Sequence, residues 1–216
     1  IVNAVEEGRG IYDNIRKFVN YLLSCNVGEV LIIFIGALLG LPLPLIAVQL
    51  LWINLVTDGL PALALGVDPV AKDSMKRPPR KLSQRIMSKG MSMNIFSMGA
   101  LICLATLVMY YIGLQESVET GRTMAFMTLV LLEIVRLQMI RSSYHTGMWS
   151  NRWLIWAVLV SIGLQLLVVY TPLSIFFKTI PLGGMHWLYM GGALVGVFIL
   201  GSIATAIIKR ITHEFY

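Results

Sequence analysis

The chain has 216 residues, of which 57% are apolar and only 13% are charged, and its formal net charge is +6. Together with a mean hydropathy of +0.77, this composition excludes a soluble domain and predicts an integral membrane protein. The basic residues are spread over segments that flank apolar blocks, so we expect contact with membrane lipid and no binding of nucleic acid.

The first 17 residues are too polar to enter a bilayer, yet their apolar side chains recur at helical spacing. Asp13 and Lys17 also form a favourable i,i+4 pair. These features predict a cytoplasmic stalk helix that runs without a break into the first membrane span. Gly8 and Gly10 leave open the alternative of a loosely ordered terminal segment.

Six apolar blocks follow, each near the roughly 20 residues that a helix needs to cross about 30 Å of hydrocarbon. The predicted fold is all-α, a polytopic membrane bundle of six transmembrane helices with a stalk extension. The predicted spans are approximately 18–40, 45–65, 92–112, 124–140, 154–171 and 187–208. The predicted parts are a stalk (1–17), an ion-binding helix pair (18–65), a basic cytoplasmic loop (66–90) and a four-helix membrane support region (91–216).

The basic residues predict the orientation of the bundle, because Lys and Arg favour the cytoplasmic side. The segment 66–90 is the most basic connection and should be cytoplasmic, with both termini on the same side. Its basic residues are Lys72, Lys76, Arg77, Arg80, Lys81, Arg85 and Lys89.

Three carboxylates interrupt the apolar spans: Glu29, Asp58 and Glu133. An acid at the centre of a bilayer helix costs roughly 2.5 to 3.5 kcal/mol even on the insertion scale. Three such residues indicate an ion site inside the bundle.

Amide and hydroxyl side chains accompany two of these carboxylates. Asn26 lies three residues before Glu29, so the two share one helix face. Asn54, Thr57 and Asp58 have the spacing i, i+3 and i+4, which again places them on one face.

A helix break is predicted just after Asp58, where Gly59 and Pro61 follow. Pro61 has no N–H to donate to the carbonyl of Thr57, four residues earlier. Transporters expose main-chain oxygen at membrane depth through such breaks. The candidate ligands are therefore all oxygen atoms, with no sulfur or imidazole, and they favour a hard cation, calcium above all.

Each candidate also has a structural interpretation. Asn26 and Asn54 are also suited to hydrogen bonds between helices, and the hydroxyl of Thr57 can bond to its own helix backbone. Glu133 has Arg136 one turn later, so an ion pair between them is the alternative to metal ligation.

The cysteines and histidines indicate neither a disulfide framework nor a zinc site. Cys25 and Cys103 lie in different predicted spans without C-x-x-C spacing. The three histidines lie at span ends without a second ligand at metal spacing, as expected for interfacial polar residues: His145, His186 and His213.

A long segment, YLLSCNVGEVLIIFIGALLGLPLPLIAVQLLWINLVTDGLPALALGVDP, closely resembles the fifth and sixth membrane helices of P-type calcium ATPases of the sarcoplasmic/endoplasmic reticulum type, including bacterial members. AVEEGRGIYDNIRKF upstream resembles the stalk of this family, and DSMKRPPR downstream resembles its following cytoplasmic loop. Beyond residue 90 the similarity is mainly topological. The chain thus looks like helices five to ten of such a pump, and a bacterial plasma membrane is the location that we expect.

The resemblance implies a set of calcium ligands. One site would use Asn26, Glu29, Thr57, Asp58 and Glu133, and a second would use Asn54 with Asp58 as the bridge. Glu29 and Thr57 are positions at which secretory-pathway and sodium pumps differ. Arg136 is a possible departure from the pattern, and the second site also needs a family helix that these residues do not contain.

The catalytic motifs of the family, DKTGT, TGDGxND and TGES, do not occur in these residues. We therefore expect no ATP hydrolysis by the 216 residues alone. The resemblance implies that ATP and Mg²⁺ act in the cytoplasmic domains of a parent pump, which are the partners of this chain together with its remaining helices and lipid. The competing interpretations are a complete six-helix secondary cation transporter or channel, and an inert structural membrane domain.

Overall fold

A computed structural model describes residues 1–71, 73–77 and 86–212. Within these ranges, six helical stretches are long and apolar enough to cross a membrane. The predicted all-α bundle of six spans is confirmed. The helices are α1 (Val2–Leu38), α2 (Ala47–Trp52), α3 (Gly59–Leu65), α4 (Lys89–Leu114), α5 (Val118–Ser143), α6 (Arg152–Tyr170), α7 (Ser174–Phe177) and α8 (Gly184–Thr212).

The first helix joins the stalk to the first span without interruption. Its 37 residues correspond to a length of about 55 Å, whereas the hydrocarbon core of a bilayer is about 30 Å thick. A single helix therefore runs from the polar N-terminal stretch into the first apolar block.

The predicted ion pair within the stalk is wrong. Lys17 donates to Asp68, with 2.8 Å between Nζ and Oδ2, and Arg77 instead reaches Asp13, with 2.8 Å between Nη1 and Oδ2. Lys17 is only 1% exposed, and a buried ammonium is stable only beside a buried counter-charge. Asp68, beyond the end of α3, supplies that charge and draws the loop onto the stalk.

The second span is broken into three parts. α2 continues into a π-helical turn at Ile53–Thr57, after which α3 begins. The amide of Asp58 donates to the carbonyl of Ile53, five residues earlier, at 2.9 Å. The break thus precedes Gly59 and Pro61, because a proline in the first turn of a helix needs no N–H.

The remaining helices hold these two spans in place. α5 is the most buried span, and α4 packs against α1, α5 and α8. α1 approaches α4 closely where Gly28 faces Gly99: a Cβ on Gly99 would come within 2.5 Å of a Val27 methyl and 3.2 Å of the Gly28 nitrogen. Small residues allow this approach between membrane helices, and it fixes the height of Glu29, the next residue.

The basic loop is described only in part. Residues 73–77 include a short 3₁₀ turn, Ser74–Lys76, whose carbonyl at Ser74 accepts from Arg9 Nη1 at 2.6 Å. Among the residues that the sequence analysis singled out, Lys72, Arg80, Lys81, Arg85 and His213 lie outside the described residues.

Candidate metal centre

The three carboxylates predicted to form the ion site are all buried, and each comes from a different span. Glu29 lies on α1, Asp58 directly before α3, and Glu133 on α5, with 6%, 0% and 1% of their surfaces exposed. Four of their oxygens have no hydrogen-bond partner among the described residues: Glu29 Oε1, Asp58 Oδ2 and both Oε atoms of Glu133. The bundle therefore presents carboxylate oxygens that its own donors leave unsatisfied.

Two neighbouring donors orient two of the carboxylates. Tyr21 Oη donates to Asp58 Oδ1 at 2.7 Å, and Asn54 Nδ2 donates to Glu29 Oε2 at 2.6 Å. Asp58 and Glu29 thus each have one oxygen held in place and one oxygen left to accept a ligand.

The other predicted ligands have partners within their own helices. Asn26 Nδ2 donates to the Leu22 carbonyl at 2.8 Å, and Thr57 Oγ1 donates to the Ile53 carbonyl at 3.1 Å. These bonds use donors only, so the Asn26 carbonyl oxygen and the Thr57 hydroxyl lone pairs can still accept. Asn26 is half-buried and Asn54 is exposed.

Arg136 donates hydrogen bonds to polar side chains of α1 and α4. Its Nη2 donates to Asn20 Oδ1 at 2.7 Å and to Asn94 Oδ1 at 2.6 Å, and its Nε donates to Ser24 Oγ at 3.3 Å. No hydrogen bond reaches either oxygen of Glu133 among the described residues. Metal ligation by Glu133 and an ion pair with Arg136 both stay predictions.

A thiol that the sequence analysis did not count among the ligands lies beside two of the carboxylates. The Cys25 sulfur and one oxygen each of Asp58 and Glu133 all lie within 4.8 Å of one another. Cys25 is fully buried and is a free thiol. Its spacing of four residues before Glu29 on a helix could have revealed this, because such residues share a face. Tyr21, a further four residues earlier, was missed for the same reason.

These groups suit a multivalent cation. Several carboxylates that face one another in a buried place repel, and removal from water costs several kcal/mol per ion. A cation bound to the unsatisfied oxygens would offset both effects, and hard oxygen donors match calcium better than a soft metal. The π-helical turn ends at Thr57, directly before Asp58, and both residues are buried.

Comparisons with known proteins identify relatives of the chain. The sequence model of a family described as "Cation transporting ATPase, C-terminus" matches residues 42–207. The "Calcium-transporting ATPase" of Bacillus subtilis (strain 168) is 42% identical over 214 residues, which cover 95% of this chain and 24% of that protein. The human "Calcium-transporting ATPase type 2C member 1" is 38% identical over 210 residues, 94% of this chain and 23% of that protein. The human "Calcium-transporting ATPase type 2C member 2" is 36% identical over 211 residues, 94% of this chain and 22% of that protein. The chain therefore spans about a quarter of the length of these relatives.

Proposed function

Because the chain belongs to the cation-transporting ATPase family, whose C-terminal region it matches, we propose that it forms the calcium-binding membrane part of an ATP-driven calcium pump. Family membership confirms the resemblance to P-type calcium ATPases at the level of the family, and a self-sufficient secondary transporter or channel is not favoured. The relatives that are named calcium-transporting ATPases support calcium as the transported ion.

The observation that carries the proposal is the set of unsatisfied carboxylate oxygens on three different spans. In this proposal Glu29, Asp58 and Glu133 bind calcium directly. Asn26 and Thr57 complete the site with neutral oxygens, since calcium accepts six to eight oxygen ligands in irregular geometry. A second ion would use Asp58 as a bridge together with the remaining site residue, Asn54.

Asn54 connects the two places at which calcium would bind. Its Nδ2 donates to Glu29 Oε2 at 2.6 Å and to the Leu50 carbonyl at 3.0 Å. These bonds use only the nitrogen, so the amide oxygen of Asn54 can still accept an ion. In this proposal Asn54 therefore orients Glu29 and contributes its own oxygen to the second ion.

The stalk provides the connection to ATP. α1 is one continuous helix that carries Glu29 on its membrane part and pairs with the following loop through Lys17 and Asp68. In the proposed pump, cytoplasmic domains outside these residues bind ATP and Mg²⁺ and move this stalk. Calcium leaves the cytoplasm and protons return, in a bacterial plasma membrane with both ends of the chain on the cytoplasmic side.

The ligand set that we propose is that of the sarcoplasmic/endoplasmic reticulum type. It depends on Glu29 and Thr57, positions at which the resemblance separates this type from secretory-pathway pumps. The buried carboxylate of Glu29, half held by Asn54, supports a contribution from α1 to the site.

Calcium binding to the full-length protein in detergent tests the proposal. Isothermal titration without nucleotide should show saturable binding of Ca²⁺ that Mg²⁺ does not displace, because Mg²⁺ dehydrates reluctantly. Asp58→Asn should weaken that binding by about tenfold or more, equivalent to about 1.4 kcal/mol. The matched control is Asp73→Asn, an exposed aspartate outside the bundle. Equal affinities for the two variants, or no binding by a folded wild-type protein, would overturn the proposal.

A further inference from the structure

The thiol of Cys25 lies where a metal ligand would lie. Its sulfur and the facing oxygens of Asp58 and Glu133 are within 4.8 Å of one another. Two ligands of one ion can be separated by at most twice the metal–ligand bond length, which is about 5 Å for bonds of 2.3–2.6 Å. The three atoms therefore satisfy the distance condition for binding a single ion without any movement of the backbone.

A second observation points to a ligand at this place. Asp58 Oδ2 and both carboxylate oxygens of Glu133 have no hydrogen-bond partner among the described residues, although these side chains are 0% and 1% exposed. A buried polar atom without a partner costs free energy and calls for an explanation. The thiol faces this unsatisfied pair of carboxylates.

Cys103 shows what an ordinary buried cysteine looks like in the same bundle. It is 2% exposed and packs with Ile102, Phe126 and other apolar side chains of the core. A free cysteine in such surroundings behaves as a small hydrophobic residue. Cys25 differs because carboxylates face its sulfur, so the two cysteines form a natural matched pair.

We propose that Cys25, Asp58 and Glu133 form a binding site for a thiophilic divalent cation, with Cd²⁺ as the probe. Thiolate sulfur favours soft and borderline metals, whereas carboxylate oxygen accepts hard ones. Cd²⁺ combines affinity for sulfur with a size near that of Ca²⁺, so it fits a mixed site built around calcium-type oxygens. On binding, the S–H bond of Cys25 breaks, an S–Cd bond forms and the proton is released to solvent.

The proposed cadmium site shares Asp58 and Glu133 with the proposed calcium site. To that extent the inference rests on the proposed function. Its new element is the sulfur ligand on α1. Because the carboxylates are shared, Cd²⁺ and Ca²⁺ compete for them. The protein should therefore be inhibited by thiophilic metals at concentrations at which an all-oxygen site would still prefer calcium.

Ultraviolet absorption of the full-length protein in detergent tests the proposal. Addition of Cd²⁺ to wild type should produce a thiolate-to-cadmium charge-transfer band that saturates. Cys25→Ser should remove the intensity of one thiolate and weaken Cd²⁺ binding by about tenfold or more. Cys103→Ser, the matched control, should leave both unchanged. Serine is a small polar replacement for a buried thiol, and circular dichroism checks that both variants remain helical.

The outcomes separate this proposal from that of calcium binding. If Ca²⁺ reduces the cadmium band and Cys25→Ser still binds Ca²⁺, both proposals hold. If the band keeps its full intensity in Cys25→Ser, or is absent from folded wild type, the sulfur site is wrong even where Ca²⁺ binding is intact. If the band depends on Cys25 but no Ca²⁺ binds, the sulfur site stands and the calcium proposal fails.

Discussion

Two clusters of buried charge occupy this bundle, and they differ in how far the protein satisfies them. In the first, at the stalk end, Asp68 accepts from Lys17 Nζ at 2.8 Å, from Arg141 Nε at 3.2 Å and from Asn151 Nδ2 at 3.0 Å. In the second, the candidate metal centre, the carboxylates of Asp58 and Glu133 retain three oxygens without a partner among the described residues. We call these the satisfied cluster and the unsatisfied cluster.

The satisfied cluster joins four parts of the chain. Lys17 belongs to the stalk, Asp68 to the loop after α3, Arg141 to the end of α5, and Asn151 caps α6 by accepting from the Leu154 amide at 3.1 Å. Arg141 also donates to the carbonyls of residues 147 and 148. Each buried charge in this cluster has a partner of opposite charge or a hydrogen bond, so the role of the cluster is structural.

The difference between the two clusters shows how the role of a buried charge can be inferred from its partners. A buried ion whose charge is fully paired holds its partners in defined positions. Removal of one member leaves the other buried charges without a counter-charge. A buried carboxylate without compensation costs stability in the empty protein and is retained for a ligand. The same chemical change, carboxylate to amide, should therefore act in opposite directions in the two clusters.

The largest effect is expected from Asp68→Asn in the satisfied cluster. It removes the charge that compensates both Lys17 and Arg141, each 1% exposed or less, and should destabilise the protein by about 3–5 kcal/mol. Thermal unfolding in detergent, followed by circular dichroism, measures this loss. Asp73→Asn serves as the exposed control, and a similar midpoint for the two variants would show that the satisfied cluster is not a stabilising unit.

A somewhat smaller loss is expected from Arg136→Met, which tests whether this arginine belongs to the satisfied class. Its guanidinium supplies donors to the buried side-chain oxygens of Asn20, Ser24 and Asn94. Methionine fills part of the space but leaves buried acceptors without a donor, at a cost of about 2–3 kcal/mol. The same unfolding measurement applies. A variant as stable as wild type would place Arg136 with the ion site instead.

Glu133→Gln should not lower the free energy of unfolding, in contrast to the two substitutions above. Both oxygens of Glu133 lack a hydrogen-bond partner among the described residues, and the side chain lies close to Asp58, so loss of the charge removes repulsion between the two carboxylates. In calcium-free buffer the variant should be as stable as wild type or more stable by up to about 1 kcal/mol, while its calcium affinity falls.

Calcium sharpens that test. Wild type should gain stability as Ca²⁺ is added, because a ligand that binds the native state raises the unfolding free energy. Glu133→Gln should gain less. A variant that unfolds earlier than wild type without calcium would show that the glutamate contributes to the structure and contradict its assignment to the unsatisfied cluster.

The sequence predicted the spans correctly and singled out three acids that the structure buries, because both are local features. Apolar block length specifies a membrane helix, and each acid stands out against its own block. The partners of the charges were not predictable in the same way. Lys17 bonds to Asp68 across 51 residues and not to Asp13 across four, since tertiary burial decides where a buried ammonium finds its counter-charge.

Cys25 was missed for a different reason. Its helical spacing to Glu29 was visible, but an apolar block offers many such positions, and only the packing of α1 against the second and fourth spans shows which ones face a carboxylate. The position of the break in the second span likewise depended on tertiary structure. Pro61 signalled a break, but the π-helical turn lies before it, at Ile53–Thr57.

The smallest effect is expected at the protein surface, for Asp73→Asn, the exposed control against which the buried clusters are compared. Arg77 Nη2 donates to Asp73 Oδ1 at 3.0 Å, and this hydrogen bond lowers the pKa of Asp73 below its ordinary value. Because the folded pKa is depressed, the pair stabilises the protein above the unfolded pKa of about 4, and this contribution is lost as the pH falls through the folded pKa. The Asp73 side chain is 41% exposed, so solvent screens the pair, and Asp73→Asn should cost no more than about 0.5 kcal/mol at neutral pH.

Unfolding of wild type and variant from neutral to acidic pH should give midpoints that converge as Asp73 is protonated. A large difference that persists in acid would mean that this aspartate is not an inert control, and the contrast with Asp68 would have to be measured against another surface carboxylate.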